Sequence, residues 1–169
     1  MEPPPTPSAA NVRLRPGRWG LAVTACVLVL GLAALPPFVG AEGQAVLRAA
    51  FRFVCHQQPA RSFAVGGVPF AVCHRCTGVL AGLLAGAVLL PLVVRGGRGR
   101  FPFEGSRAGR WLLAALIPLG VDWALGATGI WANPPWSRTL TGAVFGLVAG
   151  IVFARAVALP GEVARGVAH

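Results

Sequence analysis

The feature that most constrains this chain is a set of four long runs that each contain at most one charged residue, found at residues 19–41, 76–94, 111–137 and 139–160. An α-helix needs about 20 apolar residues to cross the hydrocarbon core of a bilayer. We therefore predict four spanning helices, near residues 20–38, 74–94, 111–131 and 139–159. Only 12% of the residues are charged, whereas soluble domains carry about 25%. The sequence thus predicts an all-α integral membrane protein that has the lipid bilayer as its surroundings.

One membrane domain, residues 19–160, contains all four predicted spans. The proline-rich residues 1–18 are predicted to be a disordered lead, and residues 161–169 a short C-terminal tail. Residues 41–57 are too short and too basic to span, but Leu47, Phe51 and Val54 recur there at helical spacing. That spacing predicts an amphipathic helix at the membrane interface.

The second and fourth spans begin with similar sequences. Each has an arginine, then Thr-Gly, then a glycine at every fourth position: Arg75, Thr77, Gly78, Gly82 and Gly86, against Arg138, Thr141, Gly142, Gly146 and Gly150. Glycines at this spacing form a flat ridge that lets two helix backbones approach closely. The likeness predicts two helical hairpins related by an axis along the membrane normal, although such ridges also occur without any repeat.

The arginines near the ends of the spans predict an orientation in the membrane. Most of them lie in the N-terminal segment, the second-to-third connection and the tail: Arg13, Arg15, Arg18, Arg95, Arg98, Arg100, Arg107, Arg110, Arg155 and Arg165. The positive-inside rule then places both termini in the cytoplasm, for a multi-pass protein of the cell inner membrane. The net charge of +10 is not gathered into a patch with interleaved aromatic residues, so no nucleic-acid partner is predicted.

The N-terminal run also has the features of a signal peptide. It has a basic stretch, an apolar run and then the small residues Val39, Gly40 and Ala41, which would permit cleavage after Ala41 and removal of residues 1–41. The apolar run is longer than an ordinary signal sequence, which favours a retained span.

Three of the four cysteines lie in two short motifs, Cys55-His56 and Cys73-His74-Arg75-Cys76, which the predicted topology places at the outer end of the second span. A two-residue gap between cysteines lets a tight turn aim both sulfurs at one tetrahedral ion. Cys55 would supply a third ligand and His56 or His74 a fourth, which predicts zinc as the cofactor. Adjacent Cys55 and His56 can both ligate only where the backbone is irregular.

Two other interpretations of these cysteines remain open. A C-x-x-C pair at a helix N-terminus is typical of a redox pair, in which the helix dipole and Arg75 favour a thiolate and Cys55 exchanges with it. The chain would then be a membrane thiol-disulfide oxidoreductase. In the third interpretation, Cys55 and one partner form a structural disulfide, or the thiols are only packed. No pairing of a nucleophile with a base stands out, so the sequence supports no enzyme assignment.

Asp122 is the only aspartate and lies in the middle of the third predicted span. A carboxylate at that depth should face the interior of the bundle and pair with an arginine, here Arg75 or Arg138. Alternatively, Arg61, Arg75 and Arg138 together could hold an anion, such as the phosphate of an anionic lipid, near exposed helix N-termini.

Two of these segments resemble motifs of one protein family. Residues 55–63, which read C-H-Q-Q-P-A-R-S-F, and residues 73–78, which read C-H-R-C-T-G, are similar to the C-H-Q-x-P-x-R-S-F and C-x-R-C-T-G motifs of small membrane proteins of unknown function in bacteria and archaea. Pro118 with Asp122, and Arg138 with Gly142, are similar to later motifs of that family. The resemblance covers residues 50–150 and implies a multi-helix membrane protein. It also favours His56 over His74 as the fourth ligand, because His74 occupies a variable position.

Overall fold

The computed structural model describes residues 14–96 and 106–159. These form five α-helices, which are α1 (Pro16–Ala34), α2 (Ala41–Phe51), α3 (His74–Gly96), α4 (Ser106–Ala127) and α5 (Pro135–Ala158). Two 3-10 turns (Pro36–Phe38 and Pro59–Arg61) and a small antiparallel hairpin of β1 (Ala64–Val65) and β2 (Val68–Pro69) complete the described chain. The helices α1, α3, α4 and α5 are long and apolar enough to cross a membrane. The prediction of an all-α membrane protein is confirmed.

The ends of the helices differ from the predicted spans for local reasons. α1 ends at Ala34 rather than near residue 38, because Pro36 begins a 3-10 turn. α4 ends at Ala127 rather than near residue 131, because the chain turns at Gly129, which has a φ of 74°. α5 begins at Pro135, four residues before its apolar run, since proline is well suited to the first turn of a helix.

Parts of the predicted lead and tail lie outside the described residues. α1 begins at Pro16, so residues 16–18 of the predicted lead are helical. Residues 1–13 and 161–169 are not among the described residues, so the disorder predicted for residues 1–13 and the short tail predicted for residues 161–169 stay predictions. α2 covers only the first part of the predicted interfacial segment, so Val54 lies past its end.

The closest helix pair is α3 with α5. A Cβ on any of their ridge glycines would meet the backbone of the other helix: Gly78, Gly82 and Gly86 face Thr139, Ala143 and Leu147, and Gly142, Gly146 and Gly150 face Arg75, Val79 and Leu83. The residue numbers of the facing positions increase together along α3 and α5, so the two helices run parallel. Both helices therefore begin at the same end of the bundle, as the predicted repeat of two hairpins requires.

The remaining helices pack around this central pair. α1 packs against both α3 and α5, burying Ala22 and Cys26 against Leu90 and Ile151. α4 packs on α5.

The end of α1 lies near the start of α3, because the N–H of Ala71 donates to the carbonyl of Ala33. The short connection from Ala127 to Pro135 likewise places the end of α4 near the start of α5. We call this end of the bundle the thiol end, because Cys73 lies there beside the start of α3.

Candidate metal centre

Three thiols meet at the thiol end of the bundle. The Sγ atoms of Cys55, Cys73 and Cys76 all lie within 4.8 Å of one another. Cys73 immediately precedes α3, Cys76 lies in its first turn, and Cys55 follows α2. All are free thiols, as is Cys26, which lies in the apolar core. We call Cys55, Cys73 and Cys76 the thiol cluster.

The sulfur of Cys55 is held in place by two backbone amides. The N–H of Cys73 donates to Cys55 Sγ at 3.2 Å, and the N–H of Gln57 donates to the same atom at 3.4 Å. Gln57 has a φ of 51°, and this irregular backbone turns its amide back toward the cysteine two residues earlier. Hydrogen bonds of this kind orient a ligand.

Hydrogen bonds to backbone carbonyls hold the two cysteine-bearing stretches and the end of α1 together. Gln57 Nε2 donates to the carbonyl oxygen of Arg48 at 2.6 Å, and the Arg48 guanidinium donates to the carbonyl of Pro69 at 3.4 Å. The N–H of Ala71 donates to the carbonyl of Ala33 at 2.9 Å, which fastens the segment before Cys73 to the end of α1. The hydrogen-bonded connection between α1 and α3 therefore brings the three thiols together.

Apolar side chains close the inner side of the thiol cluster. Cys55 is buried together with Ala33 and Val72, and Phe51 and Leu80 pack against them. This wall shields the sulfurs from lipid and water on that side, which strengthens electrostatic interactions at the site.

The geometry of the C-x-x-C pair lowers the pKa of the Cys73 thiol. The main cause is the hydrogen bond that Cys73 accepts from the Cys76 thiol, with a further contribution from the backbone N–H of Cys76, while partial burial acts in the opposite direction. The lowered pKa favours the thiolate form of Cys73. A thiolate is the form that binds metal ions and the form that attacks disulfides.

Neither histidine of the two motifs belongs to the thiol cluster. His56 is exposed and lines the cavity beside Cys55. His74 is buried against the ring of Phe63, with ring centroids 4.4 Å apart, and its Nδ1 has no hydrogen-bond partner among the described residues. The role of His56 as a fourth ligand stays a prediction.

Asp122 lies at the centre of a polar network between three helices. Its Oδ2 accepts from the Arg75 guanidinium of α3 at 2.5 Å, and its Oδ1 accepts from Ser137 Oγ of α5 at 2.5 Å. The carboxylate is buried. Of the two arginines predicted as its partner, the structure selects Arg75, and the ion pair joins α4 to the central pair.

Sequence reasoning missed Asn133 and Ser137. Asn133 Nδ2 donates to the backbone carbonyl of Asp122 at 3.0 Å, and its Oδ1 accepts from Arg138 Nε at 2.9 Å. Asn133 has a φ of 51°, a conformation that asparagine tolerates better than most residues. A Cβ on Gly126 would clash with the Asn133 side chain. The available signal was an asparagine before two prolines, four residues ahead of Ser137 and five ahead of Arg138.

A cavity of about 480 Å³ opens beside the thiol cluster. Its lining includes the three cluster thiols, polar side chains of the first motif, and three arginines: Cys55, Cys73, Cys76, His56, Gln57, Gln58, Arg61, Arg75, Asn133 and Arg138. The apolar part of the wall is formed by Val54, Trp123 and Ala127 with Gly126. The predicted thiol residues and the predicted arginines thus border one shared space.

The fold and this site define a multi-pass helical membrane protein with a thiol cluster at one end of its bundle. Residues 55–152 match the family described as "Predicted membrane protein (DUF2085)", and the chain belongs to that family. The matched range contains the thiol cluster, Asp122 and Arg138. The resemblance noted from the two cysteine motifs is confirmed at the level of the family.

Two relatives are archaeal proteins described as uncharacterized. One, from Methanocaldococcus jannaschii, is 34% identical over 101 residues, which cover 59% of this chain and 61% of the relative. The other, from Methanothermobacter thermautotrophicus, is 50% identical over 32 residues, which cover 19% of this chain and 29% of the relative. The chain therefore spans less than two thirds of the length of either relative. No solved structure matches it.

Proposed function

We propose that this protein binds a zinc-like metal ion through Cys55, Cys73 and Cys76. The observation that carries the proposal is the approach of three sulfurs, from stretches 18 residues apart, to within 4.8 Å of one another. Zn–S bonds of about 2.3 Å place the sulfurs of a tetrahedral site about 3.8 Å apart. Small side-chain movements would bring the thiol cluster to that spacing.

The number of sulfurs favours a metal over a disulfide. A disulfide joins two sulfurs and leaves the third without a role, whereas a soft metal ion binds three thiolates at once. The amides that donate to Cys55 Sγ supply the outer hydrogen bonds that metal-bound ligands usually have. Cys55 is also 6% exposed, so its sulfur is protected from bulk solvent.

We propose His56 as the fourth ligand. It follows Cys55 directly, lines the cavity, and lies in a stretch whose backbone is irregular at Gln57. With His56 bound, the four-ligand site would be closed and structural, pinning the segment after α2 to the start of α3. With His56 unbound, a coordination position would open toward the cavity, as in sites where zinc activates water.

We also propose that the thiol end faces away from the cytoplasm and that both termini lie on the cytoplasmic side of the cell inner membrane. The described arginines at the opposite end support this orientation: Arg15 and Arg18 at the start of α1, Arg95 at the end of α3, and Arg107 and Arg110 at the start of α4. Basic residues near the ends of spans favour the cytoplasmic side.

Thiol-disulfide exchange is a second candidate function, supported by the sulfurs of Cys73 and Cys76, which lie within 4.8 Å of each other at the start of α3. The lowered pKa of Cys73 agrees with it. The Cys73 thiolate would attack a substrate disulfide and release one substrate thiolate. Cys76 would then attack the mixed disulfide at Cys73 and release the second. This sequence oxidises Cys73 and Cys76 to a disulfide and reduces the substrate to two thiols, with no need for Cys55.

Metal analysis of the purified protein, combined with thiol counting, separates the two candidates. We expect about one zinc ion per chain, and thiols of the cluster that react with a maleimide only after chelation, because bound thiolates are poor nucleophiles. Cys26 should be unaffected by chelation. Protein without metal, in which two thiols appear only on reduction, would contradict the metal site and support the oxidoreductase.

A further inference from the structure

The cavity beside the thiol cluster carries an excess of positive charge. Arg61, Arg75 and Arg138 line it, and among the described residues no carboxylate does. Arg138 is repelled by the charges of both other arginines and attracted by Asp122, which lies behind the lining and binds Arg75. Among the described residues, Asp122 forms an ion pair with only one of the three arginines, Arg75.

Two of these arginines keep nitrogens available for a ligand. Arg138 uses Nε for its hydrogen bond to Asn133, and its terminal nitrogens have no hydrogen-bond partner among the described residues. Arg61 is exposed and forms no ion pair within the described chain. Asn133 holds the Arg138 guanidinium in place, and a donor that is already oriented loses less entropy on binding.

A bound metal would not neutralise this charge. If the proposed zinc site is correct, three thiolates and one divalent ion carry a net charge of about −1. Together with Asp122 they offset two of the three arginines, so about one positive charge is left for a ligand to balance.

We infer that the cavity binds a phosphate group between Arg61 and Arg138. Guanidinium groups present paired N–H donors that match the oxygens of a phosphate. Arg138 lies in the first turn of α5, where the helix dipole also favours an anion.

The size and wall of the cavity indicate what carries the phosphate. Its volume of about 480 Å³ is in the range of small-molecule sites and exceeds what a bare phosphate ion fills. Val54 and Trp123, which are 72% and 61% exposed, form its apolar border. The phosphate can therefore belong to a lipid headgroup that enters from the membrane or to a free phosphate compound from the aqueous side.

Binding measurements on the full-length protein in detergent test this inference. One arm compares phosphatidic acid with a diacylglycerol of the same acyl chains by native mass spectrometry, so that only the phosphate differs. A second arm measures inorganic phosphate by equilibrium dialysis. Both use wild type, Arg61→Gln, Arg138→Gln, and Arg52→Gln as matched control, since Arg52 is exposed, stacks over Phe53 and does not line the cavity.

We expect Arg61→Gln and Arg138→Gln each to weaken phosphate binding at least about tenfold, the effect of losing a charged hydrogen bond, while Arg52→Gln changes it little. An effect confined to phosphatidic acid identifies a lipid headgroup, and one seen with inorganic phosphate identifies a free phosphate compound. Equal binding by all four proteins in both arms would overturn the inference. Equal affinity for phosphatidic acid and diacylglycerol would also overturn it if inorganic phosphate shows no arginine-dependent binding.

Zinc content measured on the same samples separates this inference from the proposed metal site. Arg61 lies outside the spanning helices, so its variant should fold and retain zinc even if phosphate binding is lost. Wild-type protein without zinc that still shows arginine-dependent phosphate binding would contradict the metal site alone.

Discussion

Replacing Cys55 by serine should remove the metal from the purified protein. Loss of an outer hydrogen-bond partner already weakens a zinc site by about 10–100-fold, so loss of a thiolate ligand should weaken zinc affinity by more than about 100-fold. The folded state should lose stability too, because metal bound only by the folded protein contributes its binding free energy to folding. Zinc content and the thermal midpoint in detergent measure both effects.

Cys26→Ser is the matched control for this experiment. Cys26 is also a buried cysteine, but it lies in the apolar core between α1 and the central helix pair, away from the thiol cluster. Its variant should keep zinc at the wild-type level. If Cys55→Ser keeps as much zinc as Cys26→Ser, then Cys55 is not a ligand, and the proposal that the two motifs share one metal site is wrong.

Replacing Asp122 by alanine should destabilise the bundle strongly. The substitution removes the acceptor of both Arg75 and Ser137 and leaves a guanidinium without its partner. Breaking a buried ion pair on one side costs about 3–5 kcal/mol. The Arg75 side chain is 20% exposed and borders the cavity, where water can reach it, so we expect the lower end, about 3 kcal/mol. Unfolding in mixed micelles gives this free energy.

A double variant shows whether the effect comes from the unpaired arginine. Arg75→Leu combined with Asp122→Ala removes both charges, and replacing a whole ion pair by apolar groups is often neutral or stabilising. We therefore expect the double variant to be more stable than Asp122→Ala alone. Additive losses from the two substitutions would show that the pair does not couple α3 to α4 energetically.

The fold could be predicted from the sequence because its main determinants are local. Uncharged runs of sufficient length specify spanning helices, and the glycines at every fourth position of α3 and α5 specify which two helices approach closely. The ends of the helices were harder to predict. They are set by the backbone geometry of Pro36, Gly129 and Pro135, which a hydropathy pattern does not reveal.

The candidate site was predictable in its charged and sulfur-bearing residues but not in its connections. Cysteine, aspartate and arginine are conspicuous in an apolar chain, so Cys55, Cys73, Cys76 and Asp122 stand out by residue type alone. Asn133 is a common loop residue by type, and its role depends on a turn that folds it back onto the end of α4. The sequence could likewise not choose between Arg75 and Arg138 as the partner of Asp122, because that choice depends on how α4 sits against α3 and α5.

Zinc K-edge X-ray absorption of the purified protein tests most directly whether three sulfurs share one ion. The proposal predicts three sulfur neighbours at about 2.3 Å and one nitrogen neighbour at about 2.0–2.1 Å, the latter from His56. A nitrogen or oxygen neighbour without the multiple scattering of an imidazole ring would keep the three-thiolate site and remove His56 from it. A first shell without sulfur, or zinc-free protein with a Cys73–Cys76 disulfide, would contradict the shared metal centre.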